Sequence, residues 1–267
     1  MTAALPELVA ALAPKLAAAL GQALATLALL GAIFMLTWRW GAARLAARRV
    51  RPRGRPFDRD QLLHELRHTL VVLALGGAQA LAVQALAARG LLPPADGLGP
   101  LAIFGVFIGL LALNDLWFYG AHRLLHTPFL FRHVHAVHHR SVDVNPFSSY
   151  SFHVVEAALM TAWIIPVALL VPLPLPALAA AQLVGFANNV MSHLGYELLP
   201  AGWLRAPLLR WSNTATFHSL HHSRPGGNFG LLTRVWDRLF GTEHSAYAEA
   251  FAAAHPPAAN QPPADAD

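Results

Sequence analysis

The chain of 267 residues has no cysteine, a single lysine and only 12% charged residues. Without cysteine there are no disulfides, no thiolate-bound zinc and no cysteine-held iron–sulfur cluster, while the compartment stays open. Soluble domains average about one quarter charged residues. With 55% hydrophobic residues and this little charge, the composition points to an integral membrane protein rather than one or two soluble domains. No flavin, haem or ferredoxin motif, no internal repeat of fixed period and no familiar acid–base or nucleophilic constellation is visible. The net charge of +5 comes from 18 arginines and Lys15. Such a balance fits nucleic acid or a membrane surface, and the placement of the arginines decides between them.

Five apolar stretches lie at about 17–38, 69–88, 101–121, 154–172 and 176–193. Roughly 20 helical residues cross a bilayer core of about 30 Å, so the first three are long enough. The last two are short and meet at Pro172-Leu173-Pro174-Leu175-Pro176, as a tight transmembrane hairpin or a pair that dips in from one side. The first stretch lacks the basic flank of a signal peptide and is longer than a typical signal core. Alternating crossings place the segments after the first, third and fifth stretches on one side, with 17 of the 19 basic residues; only Lys15 and Arg89 fall opposite. Basic residues favour the cytoplasmic face, which sets the N-terminus outside. This distribution accounts for the arginines without nucleic acid. The expected fold is an all-α integral membrane protein with four or five membrane helices and a cytoplasmic His-rich metal-binding cap. Residues 1–100 carry the first helices and an Arg-rich cytoplasmic loop, 101–244 the metal domain, and 245–267 a tail, rich in Ala and Pro from Ala250 on, expected to be disordered.

Eight histidines fall in three clusters: His122 and His126; His135, His138 and His139; His218, His221 and His222. Helical residues three and four apart share a face, so each cluster can aim two or three imidazoles at one point. Imidazole binds iron, zinc, copper and nickel. Eight of them exceed the needs of one tetrahedral ion and suit two metals side by side. All three clusters lie on the side expected to be cytoplasmic. Scattered interfacial histidines would not group in this way. Asp115 precedes His122 by seven residues inside an apolar run, where an ionisable group is costly; it is expected to orient a liganding imidazole through the free ring N–H. His193, at the end of the fifth stretch, is a further candidate ligand, as is His153, three residues before Glu156. His133 points off its cluster's face, and His244 and His255 lie towards the loose end. Asp237 is expected to pair with an arginine or cap a helix, and Asn228 and Gly230 to shape a turn.

Two other readings compete. His64-Glu65-Leu66-Arg67-His68 spells H-E-x-x-H, the zinc-protease signature, although no downstream third ligand follows; its plainer reading is a polar helix entrance with Glu65 balancing nearby arginines. A non-enzymatic metal-binding or transport protein would place polar groups along a path near the bilayer midplane, whereas here the histidines cluster at one end.

The run from Asp115 through Tyr119, His122 and His126 to His135, His138 and His139 resembles the fatty acid hydroxylase/sterol desaturase superfamily. Phe217-His218-Ser219-Leu220-His221-His222, Asn228-Phe229-Gly230 and Trp236-Asp237-Arg238-Leu239-Phe240-Gly241-Thr242 continue the likeness, over about residues 101–244. The resemblance implies a membrane oxygenase with a non-haem di-iron centre that uses O2 and two external electrons to hydroxylate or desaturate a lipid C–H bond, hydroxylation being the favoured outcome. It places the three histidine boxes on the three clusters and a further ligand at His193. Where many members have His-Pro-x-Glu, this chain has His153-Val154-Val155-Glu156, and Asn189 stands where some carry another histidine. The electrons would come from a separate donor of ferredoxin or cytochrome type. The nine arginines between the first two stretches are open to two readings, a docking surface for an acidic donor or a positive-inside anchor.

Overall fold

The structure, a computed structural model, describes residues 4–50 and 58–256. Arg51, Arg53 and Arg55 of the arginine-rich segment, and the tail beyond residue 256, lie outside the described residues. Among the described residues the protein is all-helical, with two isolated bridges, Arg49–Tyr196 and Ser212–Thr233, in place of a sheet.

Three helices, α1 (Ala4–Leu36), α2 (Arg59–Ala88) and α3 (Pro100–Leu125), are long and apolar enough to cross a bilayer. The sequence marks their ends. The Asp58 side chain accepts the amides of Asp60 and Gln61 at the start of α2, satisfying donors that a helix leaves free. That start lies ten residues before the apolar stretch, so the H-E-x-x-H run sits inside the helix. α3 opens on Pro100, whose fixed φ and missing N–H suit a first helical position. Leu20, Leu101 and Phe104 stay 61%, 84% and 57% exposed. Apolar surface of this kind suits lipid rather than water.

After α3 a short helical arm, α4 (residues 128–139), passes through a π turn at Phe131–His135. The fourth apolar stretch is broken into α5 (Val154–Thr161) and α6 (Ile164–Leu170), and the fifth is α7 (Leu175–Ser192). At 1.5 Å per residue α7 is about 27 Å long, just short of a full hydrocarbon core. It packs along α3. The cap adds α8 (Ala215–Ser223), α9 (Val235–Leu239) and α10 (Tyr247–Ala253). α10 corrects the expectation of a loose tail from Ala250: Phe251 is buried with Tyr247 and Phe217, because two aromatics one turn apart give this alanine-rich segment an apolar face.

The ends of four long helices meet the cap. Leu30 and Phe34 of α1 pack with Phe147, and with Val190 and Leu194 at the end of α7. Gln61 near the start of α2 donates to the Asp143 carbonyl. The last turn of α3 presents His122, and His193 follows α7 directly.

Candidate metal centre

Nine histidines converge in two adjacent, buried sets. His122, His126, His135, His139 and His221 form the first, and His138, His193, His218 and His222 the second; within each, one ring nitrogen per residue lies within 4.8 Å of all the others. The sets do not follow the sequence clusters. His135 and His139 face the first set while His138 faces the second, and His218 and His222 face the second while His221 faces the first. Helix geometry requires this division: residues four apart differ by about 40° and adjacent residues by about 100°. Each H-x2-H-H cluster therefore serves both sets, which corrects the expectation of one aim point per cluster.

Hydrogen bonds at the far side of the rings fix which nitrogen faces inward. The Nδ1–H groups of His122, His221, His138 and His193 donate to the carbonyls of Phe229 (2.8 Å), Gly227 (2.7 Å), Ser151 (3.3 Å) and Asn189 (2.8 Å). His135 Nδ1 donates to Glu156 Oε1 at 2.8 Å. Each ring then turns the lone pair of Nε2 inward. The Nε2 atoms of His122 and His135 face each other at 3.1 Å, and those of His193 and His218 at 3.0 Å. Unprotonated nitrogens this close repel unless a cation or proton lies between them. His126 Nε2, His221 Nε2 and both nitrogens of His139 are buried with no hydrogen-bond partner among the described residues, although buried polar atoms are ordinarily satisfied. Burial pushes His135, His138, His218, His221 and His222 well below the ordinary histidine range and His139 down to about 3. The imidazoles are thus neutral at pH 7, the form that binds metal. On each of these counts the donor sets fit a pair of transition-metal ions.

The loop after α8 carries two of the orienting carbonyls and is held by buried carboxylates. Asp237 accepts the amides of Phe229 (2.8 Å) and Gly230 (2.7 Å) and the Thr242 hydroxyl. Its function is to fix this loop rather than to pair with an arginine. Asn228 adopts φ +59° and bonds through its side chain to the Phe217 carbonyl and the His244 amide, which bears out a shaped turn. A Cβ at Gly227 would run into the Thr242 carbonyl, and one at Gly230 into that of Thr233.

Two expected roles are corrected. Asp115 does not bond to a histidine. It accepts the amides of Leu232 and Thr233, the Thr233 hydroxyl and the Trp236 indole N–H. Seven helical residues advance about 10 Å, too far for Asp115 to reach His122, whose outer nitrogen is already taken. The carboxylate that does back an imidazole is Glu156, which the sequence reading paired only with His153. An ionisable residue inside the fourth apolar stretch was the available signal. His153 itself lies outside both sets; as N-cap of α5 its Nδ1 accepts the Val155 amide.

Among the described residues the H-E-x-x-H run belongs to no metal set. His64 bonds to the Val137 carbonyl and His68 to its own helix. Glu65 is fully buried rather than lying among arginines, and its oxygens accept from Gln61, Ser141, Asn145 and Ser148. With no exposed surface, this carboxylate is shut off from solvent water. Within the apolar stretches, Asn188 and Asn189 donate to the carbonyls of Leu231 and Ser149, so these polar side chains brace the cap rather than line a path.

The sequence model of the fatty acid hydroxylase family matches residues 107–242, which contain every histidine of both sets. The chain belongs to the fatty acid hydroxylase family. It is 32% identical over 136 residues to a Delta(7)-sterol 5(6)-desaturase of Leptosphaeria maculans, covering 49% of this chain and 35% of that protein. It is 35% identical over 133 residues to the Delta(7)-sterol 5(6)-desaturase of Saccharomyces cerevisiae, covering 48% and 33%. A very-long-chain aldehyde decarbonylase of Oryza sativa is 31% identical over 144 residues, covering 49% and 22%. This fatty acid hydroxylase family member thus spans about a third or less of the length of these relatives. No solved structure matches it.

Proposed function

We propose that the protein is a membrane-bound, non-haem di-iron oxygenase that uses O2 and two external electrons to hydroxylate or desaturate a C–H bond of a lipid. The observation that carries this reading is the pair of buried imidazole sets sharing two helical clusters. His122, His126, His135, His139 and His221 would hold one iron, and His138, His193, His218 and His222 the other. Iron so held supplies the O2 activation that breaking an unactivated C–H bond demands, which redox-inert zinc does not. The chain's own residues orient the imidazoles through backbone carbonyls and Glu156, keep them neutral by burial, and exclude bulk water. Hydroxylation consumes R–H, O2, two electrons and two protons and yields R–OH and one water; desaturation yields an alkene and two waters. A donor of ferredoxin or cytochrome type would supply the electrons. Family membership and relatives named for sterol and aldehyde chemistry support a lipid substrate. Nothing supports the protease or transporter readings.

The membrane arrangement belongs to the same proposal. α1, α2 and α3 cross the bilayer. α5, α6 and α7 leave from and return to the cap as a hairpin, counted as one dipping element or two further spans. The arginine distribution supports a cytoplasmic cap and an outer N-terminus. The function is tested by supplying iron-loaded protein in lipid with a reductant, donor protein and 18O2. Incorporation of 18O into a lipid hydroxyl supports hydroxylation; a new double bond with 18O in water supports desaturation. Consumption of neither O2 nor lipid across sterol, fatty acyl and sphingoid substrates contradicts the proposal.

A further inference from the structure

The first hundred residues lie outside the family match, yet they bond to segments that support the metal centre. Glu65 of α2 is fully buried and gathers the loop between α4 and α5 around its carboxylate. Oε1 accepts from Ser141 Oγ and Ser148 Oγ, both at 2.7 Å, and from Gln61 at 2.8 Å; Oε2 accepts from Asn145 Nδ2 at 2.7 Å. That loop reaches the second imidazole set by two routes. Ser151, whose amide bonds back to the Ser148 carbonyl, presents its own carbonyl to His138 Nδ1, while the Ser141 amide bonds to the His138 carbonyl. The Ser149 carbonyl accepts from Asn189 Nδ2 at 2.8 Å, and the Asn189 carbonyl accepts from His193 Nδ1 at 2.8 Å. The segment before α2 converges on the same side: Val50 N bonds to the Gly195 carbonyl, Glu197 N to the Arg48 carbonyl, and Ser219 Oγ to the Val50 carbonyl. The hydrogen-bond partners of His122, His135 and His221 in the first set come instead from Glu156 and from the loop that Asp237 holds.

We propose that Glu65 is a positioning residue for the second metal, acting through the 141–151 loop on His138 and through Asn189 on His193. The H-E-x-x-H run is on this account a clamp rather than a zinc site. The segment outside the family match thereby gains a specific task in the centre. Groups bonded directly to metal-binding imidazoles typically account for about 10–100-fold in metal affinity; Glu65 acts on such groups, so its loss should weaken the second site by up to that factor and fall mainly there.

The proposal rests on the two-metal reading, and its test separates the two. Iron per chain is measured for Glu65→Ala alone and combined with His138→Ala (second set) or His221→Ala (first set), under limiting free iron. Glu65→Ala is expected to hold about one iron, to lose nothing further with His138→Ala, and to approach none with His221→Ala. Ser148→Ala, a milder change in the same network, should weaken the same site by a smaller factor and decides the matter if Glu65→Ala does not fold. Gln79→Ala, elsewhere on α2 and bonded to Thr161, should keep both irons. Retention of both irons in Glu65→Ala and Ser148→Ala, or equal loss from both sites, overturns the positioning role. A wild-type chain that takes up only one metal under saturating iron overturns the two-metal reading itself and this role with it.

Discussion

At the residue scale the centre is set by tautomers. Each imidazole whose Nδ1–H is committed outward has only Nε2 to offer inward, and most of the outward partners are backbone carbonyls. His135 is the exception, since its partner is the Glu156 carboxylate. A side-chain acceptor fixes the tautomer and orientation of the imidazole it backs. Glu156→Ala is expected to weaken metal binding at the first set by about 10–100-fold, whereas Glu156→Gln, which still accepts the hydrogen bond, should cost less. Competition with a chelator measures both, and equal affinities for wild type and Glu156→Ala would contradict this role.

Buried neutral imidazoles also fix a pH dependence for the protein stripped of metal. Their folded values lie below the ordinary 6.5, with His139 at about 3, so the unfolded chain binds protons that the folded chain refuses. Stability is then fully present above pH 6.5 and is lost as the pH falls towards the folded values, by roughly 1.4 kcal/mol per pH unit for each such group. Melting of the chelator-treated protein should change little from pH 7.5 to pH 6.5 and drop steeply below it; a flat profile would place the imidazoles in solvent. These histidines were legible in the sequence, because spacing of three and four is the mark of a shared helical face. Their division into sets was not read from the clusters, since neighbouring residues such as His138 and His139 look like one unit in the chain and diverge by about 100° on the helix.

At the element scale the short segments determine the geometry of the centre. The three long helices follow from apolar length and end signals, and the sequence places them within a few residues, apart from the early starts of α1 and α2. The break between α5 and α6 and the helical α10 differ from the expectation. Pro166, which lacks an N–H and crowds the Ala162 carbonyl four residues earlier, marks the break in the sequence itself, whereas α10 depends on tertiary packing, where Phe251 finds Phe217. The role of Asp115 was misplaced for the same reason: its partners at Leu232, Thr233 and Trp236 lie over a hundred residues away. The loop after α8 ties α3, α8 and α9 together. Asp237→Ala would leave the buried amides of Phe229 and Gly230 without an acceptor, at about 1–3 kcal/mol for each unsatisfied group. A destabilisation of about 2–6 kcal/mol on those terms, with weaker binding at the first set, is expected by thermal melting and metal titration. An unchanged melting temperature would mean that the loop is held by other contacts.

At the scale of the whole molecule, a bundle of apolar helices carries a cap whose buried polar side chains include the nine histidines and the carboxylates that hold their supporting loops. In the sequence the histidine clusters fall on the same side of the apolar stretches as the arginine-rich segments. The sequence does not show how the N-terminal helices engage the cap. Those contacts, from Glu65 to Asn145 and from Val50 to Gly195, are single hydrogen bonds between distant segments and leave no periodic trace.

The most direct test of the account is metal content per chain after growth with adequate iron, for the wild type, His138→Ala, His221→Ala and the double variant. Two adjacent imidazole sets predict about two irons in the wild type, about one in each single variant and almost none in the double variant. A single zinc that survives the double variant and disappears with His64→Ala would contradict it.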